Sequence, residues 1–98
     1  MPIGFLALEI HIPGARSLKD KRQVLRSLKD RLRAKFNVAV AELDYQDLLQ
    51  RSRVGVVSLS GDSKHLEDSF AAILAESERI LGPDLVSQEM EYFEEASQ

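Results

Sequence analysis

Apolar residues alternate from the start of the chain. Leu6, Leu8, Ile10 and Ile12 fall on one side of an extended segment, and Ile3, Phe5, Ala7, Glu9 and His11 on the other. A period of two over a short β-branched and aromatic run predicts a half-buried strand from Ile3 to Ile12. The Leu6 set is predicted to face the core, because the other set turns polar. Pro13-Gly14 then marks a turn. From Ser17 the period changes. Leu18, Leu25, Leu28 and Leu32 recur at helical spacing with Val24 beside them, and no Gly or Pro interrupts the chain until well past Lys35. Ser17 is placed to cap this helix, and Asp20, three residues on, to reach back in the manner of a capping box. Phe36 to Leu43 reads as a second strand, and Val54 to Ser60 as a third. The polar stretch from Asp44 to Arg53 between them reads as a loop, with Leu48-Leu49 available to pin part of it to the body. Asp62 or Ser63 caps a second helix whose Leu66, Phe70, Ile73, Leu74 and Leu81 share a face. Gly82 is a natural left-handed stop and Pro83 prevents continuation. Leu85 to Phe93 reads as the last strand.

The order is strand, helix, strand, strand, helix, strand. With right-handed crossovers, both helices cover one face of a four-stranded antiparallel sheet. The expected fold is therefore an α+β, ferredoxin-like sandwich. One domain spans 1–94, with a short tail at 95–98. A ferredoxin cluster is excluded, since the 98 residues include no cysteine. The same absence rules out disulfides, thiolate metal sites and a cysteine nucleophile. No signal-peptide pattern opens the chain and no apolar run approaches the ~18 residues of a membrane span. The expected location is cytoplasmic.

Charge changes the picture more than composition does. The net charge is −3 with a pI near 5.3, but it is unevenly spread. Between Arg16 and Lys35 stand nine Lys/Arg and two Asp, a net of +7; the remainder holds four basic and fourteen acidic residues, a net of −10. The distribution, not the total, bears on partners.

On a helical wheel Arg22, Arg26, Lys29 and Arg33 form one narrow stripe flanked by Lys19, about a quarter turn from the apolar face. Cations at one-turn spacing suit a phosphate backbone. The alternative is a solvated face paired with the protein's own acids. The Pro13–Ser17 loop leads into a helix N-terminus, where Arg16 and Ser17 are candidates to hold an anion. The loop lacks the glycine-rich pattern of acylphosphatases. Asn37, the only asparagine, lies at the start of the second predicted strand, so a phosphate enzyme is not supported. His11 and His65 are expected on the surface. Glu42, Asp44 and Asp47 cluster at a strand end but read as a polar loop. No metal, cofactor or nucleophile–base set is indicated. The sheet face without helices, lined in this reading by Phe5, Ala7, Ala39, Ala41, Val54 and Val56, is the expected contact of a homodimer.

The run Ile12-Pro13-Gly14-Ala15-Arg16-Ser17-Leu18-Lys19-Asp20-Lys21-Arg22 resembles the signature of the YlxP-like family of small bacterial proteins. The resemblance continues through Phe36-Asn37-Val38-Ala39-Val40-Ala41-Glu42 and Asp47-Leu48-Leu49-Gln50, where relatives often carry an aromatic at the Leu49 position. It implies a ferredoxin-like fold. It also implies an RNA-linked role, because genes of the family tend to sit near translation and ribosome-maturation genes. It implies no catalytic residues. The leading expectation is a non-enzymatic RNA- or ribosome-associated binding protein that uses the basic helix. The alternative is a homo-oligomeric interaction module whose basic helix meets an acidic protein surface.

Overall fold

The computed structural model describes residues 2–94; the predicted tail at 95–98 lies outside them. The elements follow the predicted order: β1 (Pro2–His11), α1 (Leu18–Lys35), β2 (Ala39–Asp44), β3 (Arg51–Leu59), α2 (Ser63–Leu81), a 3-10 turn at Gly82–Asp84, and β4 (Leu85–Glu94). They form a four-stranded sheet in the order β2-β3-β1-β4, and every neighbouring pair is antiparallel. This is the ferredoxin-like sandwich, with both helices on one face.

The core lies between sheet and helices. Leu6, Leu8 and Ile10 of β1 and Val54 and Val56 of β3 are fully buried there, against Leu28 and Leu32 of α1 and Phe70 and Ile73 of α2. Each such side chain contributes roughly 1.5–3 kcal/mol by leaving water. Helix α2 lies so close over β1 that a Cβ on Gly4 would stand 2.3 Å from the Phe70 ring.

Strand β3 departs from expectation. Val54 and Val56 pair with Leu8 and Leu6 and face the core, fully buried. They are therefore not part of the open face; Gly55 and Val57, opposite Ala7 and Phe5, take those places. The strand also begins earlier than its apolar run, because Arg51, Ser52 and Arg53 pair with His11, Ile10 and Glu9. Strand β2 begins later. Phe36 and Val38 pack against the core but precede the paired segment. Its register with β3 shifts between Glu42 and Asp44, so Leu43 is an extra residue. A Cβ on Gly55 would stand 2.8 Å from Leu43 Cδ1, so the Leu43 side chain lies over Gly55. Leu18, expected on the apolar helix face, is exposed.

Gly82 ends α2 with φ of 54°, a conformation that glycine adopts without cost. Asp62, not Ser63, caps α2; its carboxylate accepts from the backbone N–H groups of Lys64 and His65 at 2.9 and 3.3 Å.

Candidate nucleic-acid interface

Helix α1 positions the basic surface, and its N-terminus is held tightly. Ser17 Oγ accepts from the Asp20 N–H at 3.1 Å. Asp20 reaches back past Ser17 to accept from the Arg16 N–H at 2.9 Å. The donor that a bound anion would meet beside Arg16 and Ser17 is thus already used by a carboxylate of the chain itself.

One turn further on, Lys21 points inward. It is 2% exposed. Its ammonium donates to the carbonyls of Tyr45 and Leu48 at 2.6 and 2.7 Å and lies 2.9 Å from Glu42 Oε2. An ammonium has three donors; two are hydrogen-bonded to carbonyls here, and Glu42 supplies the opposite charge. Ser52, fully buried, donates to the same Glu42 oxygen at 2.6 Å. The loop between β2 and β3 is fixed from its other side as well. Gln50 Nε2 donates to the carbonyls of Pro13 and Ala15, and the Ile12 N–H donates to the Gln50 carbonyl at 3.0 Å. Tyr45 takes a φ of 64° within this loop, with the Arg51 guanidinium 4.3 Å from its ring centroid. Lys21 and Gln50 are residues that reasoning from charge alone misses. The available signal for Lys21 was its place in the 21, 25, 28, 32 ladder, where every other member is leucine.

The predicted stripe stands on the outer side of α1. Lys19, Arg22, Arg26 and Arg33 are exposed, and Lys29 is half-buried. Successive members are three or four residues apart, about 4.5–6 Å along the axis. Arg22, Arg26, Lys29 and Arg33 line one side of a groove of about 450 Å³ that runs between α1 and the edge strand β2, with Leu25, Asp30 and Glu42 completing it. A second, smaller depression of about 350 Å³ is lined by Lys19, Arg22, Gln23 and Arg26.

Two features divide the stripe. Arg33 donates through Nη2 to the Val40 carbonyl at 3.0 Å, so it is tied to β2. The others have no ion-pair partner among the described residues. The acids that form ion pairs do so elsewhere: Glu42 with Lys21, Glu9 and Glu89 with Arg53, Asp68 with Lys64, and Glu76 with Lys35 and Arg79. The Lys35 and Arg79 cations hold the nearly buried Glu76 carboxyl below its ordinary pKa. On the open sheet face, the Glu9 hydrogen bond raises the Arg53 pKa.

The remaining sequence-predicted groups do not converge. His11 and His65 are both exposed, one at the end of β1 and one in the first turn of α2. The Glu42 carboxylate is taken by Lys21 and Ser52, and Asp44 accepts from the Tyr45 N–H. Among the described residues no three His, Cys, Asp or Glu side chains are grouped to hold a metal. Among the described residues no helix is long and apolar enough to cross a membrane.

Residues 3–90 match the family described as "Protein of unknown function (DUF503)". The chain belongs to this family. It is also 40% identical over 73 residues to "Uncharacterized protein YlxP" of Bacillus subtilis (strain 168), a match that spans 74% of this chain and 79% of that protein. The YlxP-like resemblance and the family match therefore agree. Solved structures similar to this DUF503 member carry little sequence likeness. The de novo designed protein Foldit4 superposes with a TM-score of 0.57 at 11% identity, over 97% of this chain and 98% of that one. SnoaB, a cofactor-independent oxygenase from Streptomyces nogalater, gives 0.53 at 12%, over 99% and 95%. At3g17210 from Arabidopsis thaliana gives 0.57 at 10%, over 98% and 97%. At such identities the likeness is one of fold.

Proposed function

We propose that this protein is a non-enzymatic binding protein that docks on the phosphate backbone of structured RNA, as a free RNA or within a ribosomal assembly, through Lys19, Arg22, Arg26 and Lys29. The observation that carries this reading is the absence of acidic partners for those four cations among the described residues, in a chain whose net charge is negative. A cationic row at one-turn spacing releases counterions when it meets phosphates. The acidic remainder of the surface repels a polyanion, so binding would be confined to one face and one orientation.

RNA is the preferred nucleic acid because the family resemblance carries an association with translation genes. The mode would be backbone docking without base readout. The major groove of A-form RNA is too narrow for side chains to read, and the row offers no aromatic on which a base could stack. Stacking on the sheet in the manner of RNA-recognition modules is also unsupported, since β3 carries no aromatic.

The test is a gel-shift or anisotropy titration of ribosomal RNA with the wild type and a quadruple Ala variant at the four positions. The variant should fold normally, because exposed charges contribute little stability, and should lose most of its RNA affinity. A folded variant that binds as tightly as wild type would sink this reading. The same variant losing a copurifying acidic protein instead would move the function to protein recognition.

A further inference from the structure

We infer that the cleft between the C-terminal end of α1 and the first turns of α2 binds a small organic monoanion, an apolar body that carries one carboxylate. The cleft follows from a mismatch in strand length. Pairing between β2 and β3 begins at Ala39 and Val57, yet β3 continues to Leu59, so its end has no paired strand on that side. The space left there is about 530 Å³, within the range of small-ligand pockets. Its floor is apolar. Leu66 and Ile73 are buried, and Phe36 and Val38 pack against the same core. Its walls are not. The inward set of β3 runs through Val54 and Val56, and counting on in twos reaches Ser58 and Ser60, which line the cleft. On α2, His65 and Ser69 line it one turn apart. Core-facing positions filled with hydroxyls are costly unless something polar reaches them.

Charge selects an anion. Among the described residues no Asp or Glu lines the cleft, in a chain that has sixteen of them; the groove beside α1 includes both Asp30 and Glu42. Lys35 lines the cleft with its side chain 52% exposed and its ammonium 2.8 Å from Glu76 Oε2. Arg79 pairs with the other oxygen of that carboxylate. Two cations thus share one negative charge, and the group carries a net charge of +1. Glu76 takes one of the three ammonium protons of Lys35, and two remain. The neutral donors are also uncommitted. Ser60 Oγ accepts from the Asp62 N–H at 3.1 Å and keeps its own proton to give. The Asn37 amide and the Ser69 hydroxyl have no hydrogen-bond partner among the described residues. One carboxylate cancels the surplus charge and accepts from these donors, while its apolar body covers the floor.

None of these residues lines the basic groove, so this site stands or falls separately from RNA binding. The probes are phenylacetate and its uncharged counterpart phenylacetamide, titrated into the isotope-labelled full chain and followed by backbone amide shifts. Phenylacetate should move the Asn37, Ser58, Ser60 and Ser69 amides saturably, with the roughly millimolar strength of so small a molecule. Phenylacetamide should bind about fivefold more weakly, and Lys35→Gln should weaken phenylacetate by about the same factor while leaving phenylacetamide unchanged. Ser69→Leu fills the cleft and leaves every charge in place; it should abolish the shifts from both probes while thermal melting stays cooperative. The wild-type titrations do not depend on any variant folding. No saturable shift with either probe would overturn the inference, as would shifts centred on the α1 stripe or on the open sheet face. Equal affinity for the two probes would refute the assignment to an anion. A folded Ser69→Leu chain that binds like wild type would place the probe outside the cleft and refute the site.

Discussion

Arg33 donates to the Val40 carbonyl at 3.0 Å, and this bond separates it from the cations that precede it on α1. Lys19, Arg22, Arg26 and Lys29 form no ion pair among the described residues, while Arg33 holds helix to strand. If those four each neutralise one phosphate, log affinity should fall against log salt with a slope of about −2.8 for single strands, or about −3.6 for a B-form-like duplex. Each single Ala substitution among the four should flatten the slope by about 0.7–0.9. Arg33→Ala should flatten it by less than half as much and should also lower the urea midpoint. Titrations at four or five salt concentrations separate the two classes. A slope change at Arg33 equal to that at Arg26 would place both in the same role.

Lys21→Met should destabilise the fold by about 3–5 kcal/mol, because it strands the Glu42 carboxylate without its charge partner. It also removes the ammonium from the Tyr45 and Leu48 carbonyls, the first of which keeps the Leu48 N–H. Pairing it with Glu42→Leu should recover part of that loss, since no unpaired charge then remains. Urea unfolding of the two single variants and the double variant closes the cycle.

Ser17→Ala should cost about 1 kcal/mol, the value of a lost N-cap. The expected signal is a lower urea midpoint with an unchanged slope. An unmoved midpoint would mean that Asp20 alone suffices to end the helix.

Two glycines give opposite expectations. Gly4→Ala drives a methyl into the buried Phe70 ring and should cost about 1–3 kcal/mol through overpacking. Gly55→Ala meets the Leu43 side chain, which is 45% exposed and can turn aside; its effect should stay within about 0.5 kcal/mol. Paired thermal melts compare them directly.

The lowered pKa of Glu76 makes stability depend on acid. Lys35 and Arg79 favour the ionised carboxylate in the folded state. Its contribution is therefore fully present above the unfolded carboxylate pKa of about 4.3. It is lost as pH falls through the lower folded value. Glu76→Gln should flatten this part of the acid limb and leave the dependence above pH ~6 unchanged. Urea midpoints measured from pH 7 downward read the difference.

Much of the architecture was legible because two periods are clean. Leu6, Leu8 and Ile10 alternate against Glu9 and His11, and Leu25, Leu28 and Leu32 step around a helix that Ser17 caps. The face of β3 was not legible from its apolar run. Val54, Gly55, Val56 and Val57 offer no polar position from which to count. Arg53 supplies one from just outside that run. It sits opposite Glu9 on the open face, and counting in twos from Arg53 puts Gly55 and Val57 outward. The stripe itself was legible as spacing. Which of its cations stay free was not, because Arg33 is tied down by a carbonyl of β2.

The clamp on Lys21 also governs how the molecule opens. Withdrawing the loop between β2 and β3 takes two acceptors from a buried ammonium, and shifting α1 takes that ammonium from all of its acceptors. The first motion leaves the ammonium without its hydrogen-bond acceptors, and the second parts it from Glu42 as well. The N-terminal half of α1 and the hairpin it grips therefore form one cooperative unit. The Leu48 amide, which donates to the Tyr45 carbonyl at 3.0 Å inside that loop, should exchange its hydrogen at the slow rate of the α1 backbone rather than at the rate of a surface turn. A connection of this kind makes a six-residue loop between two strands, 45–50, as rigid as the helix beneath it.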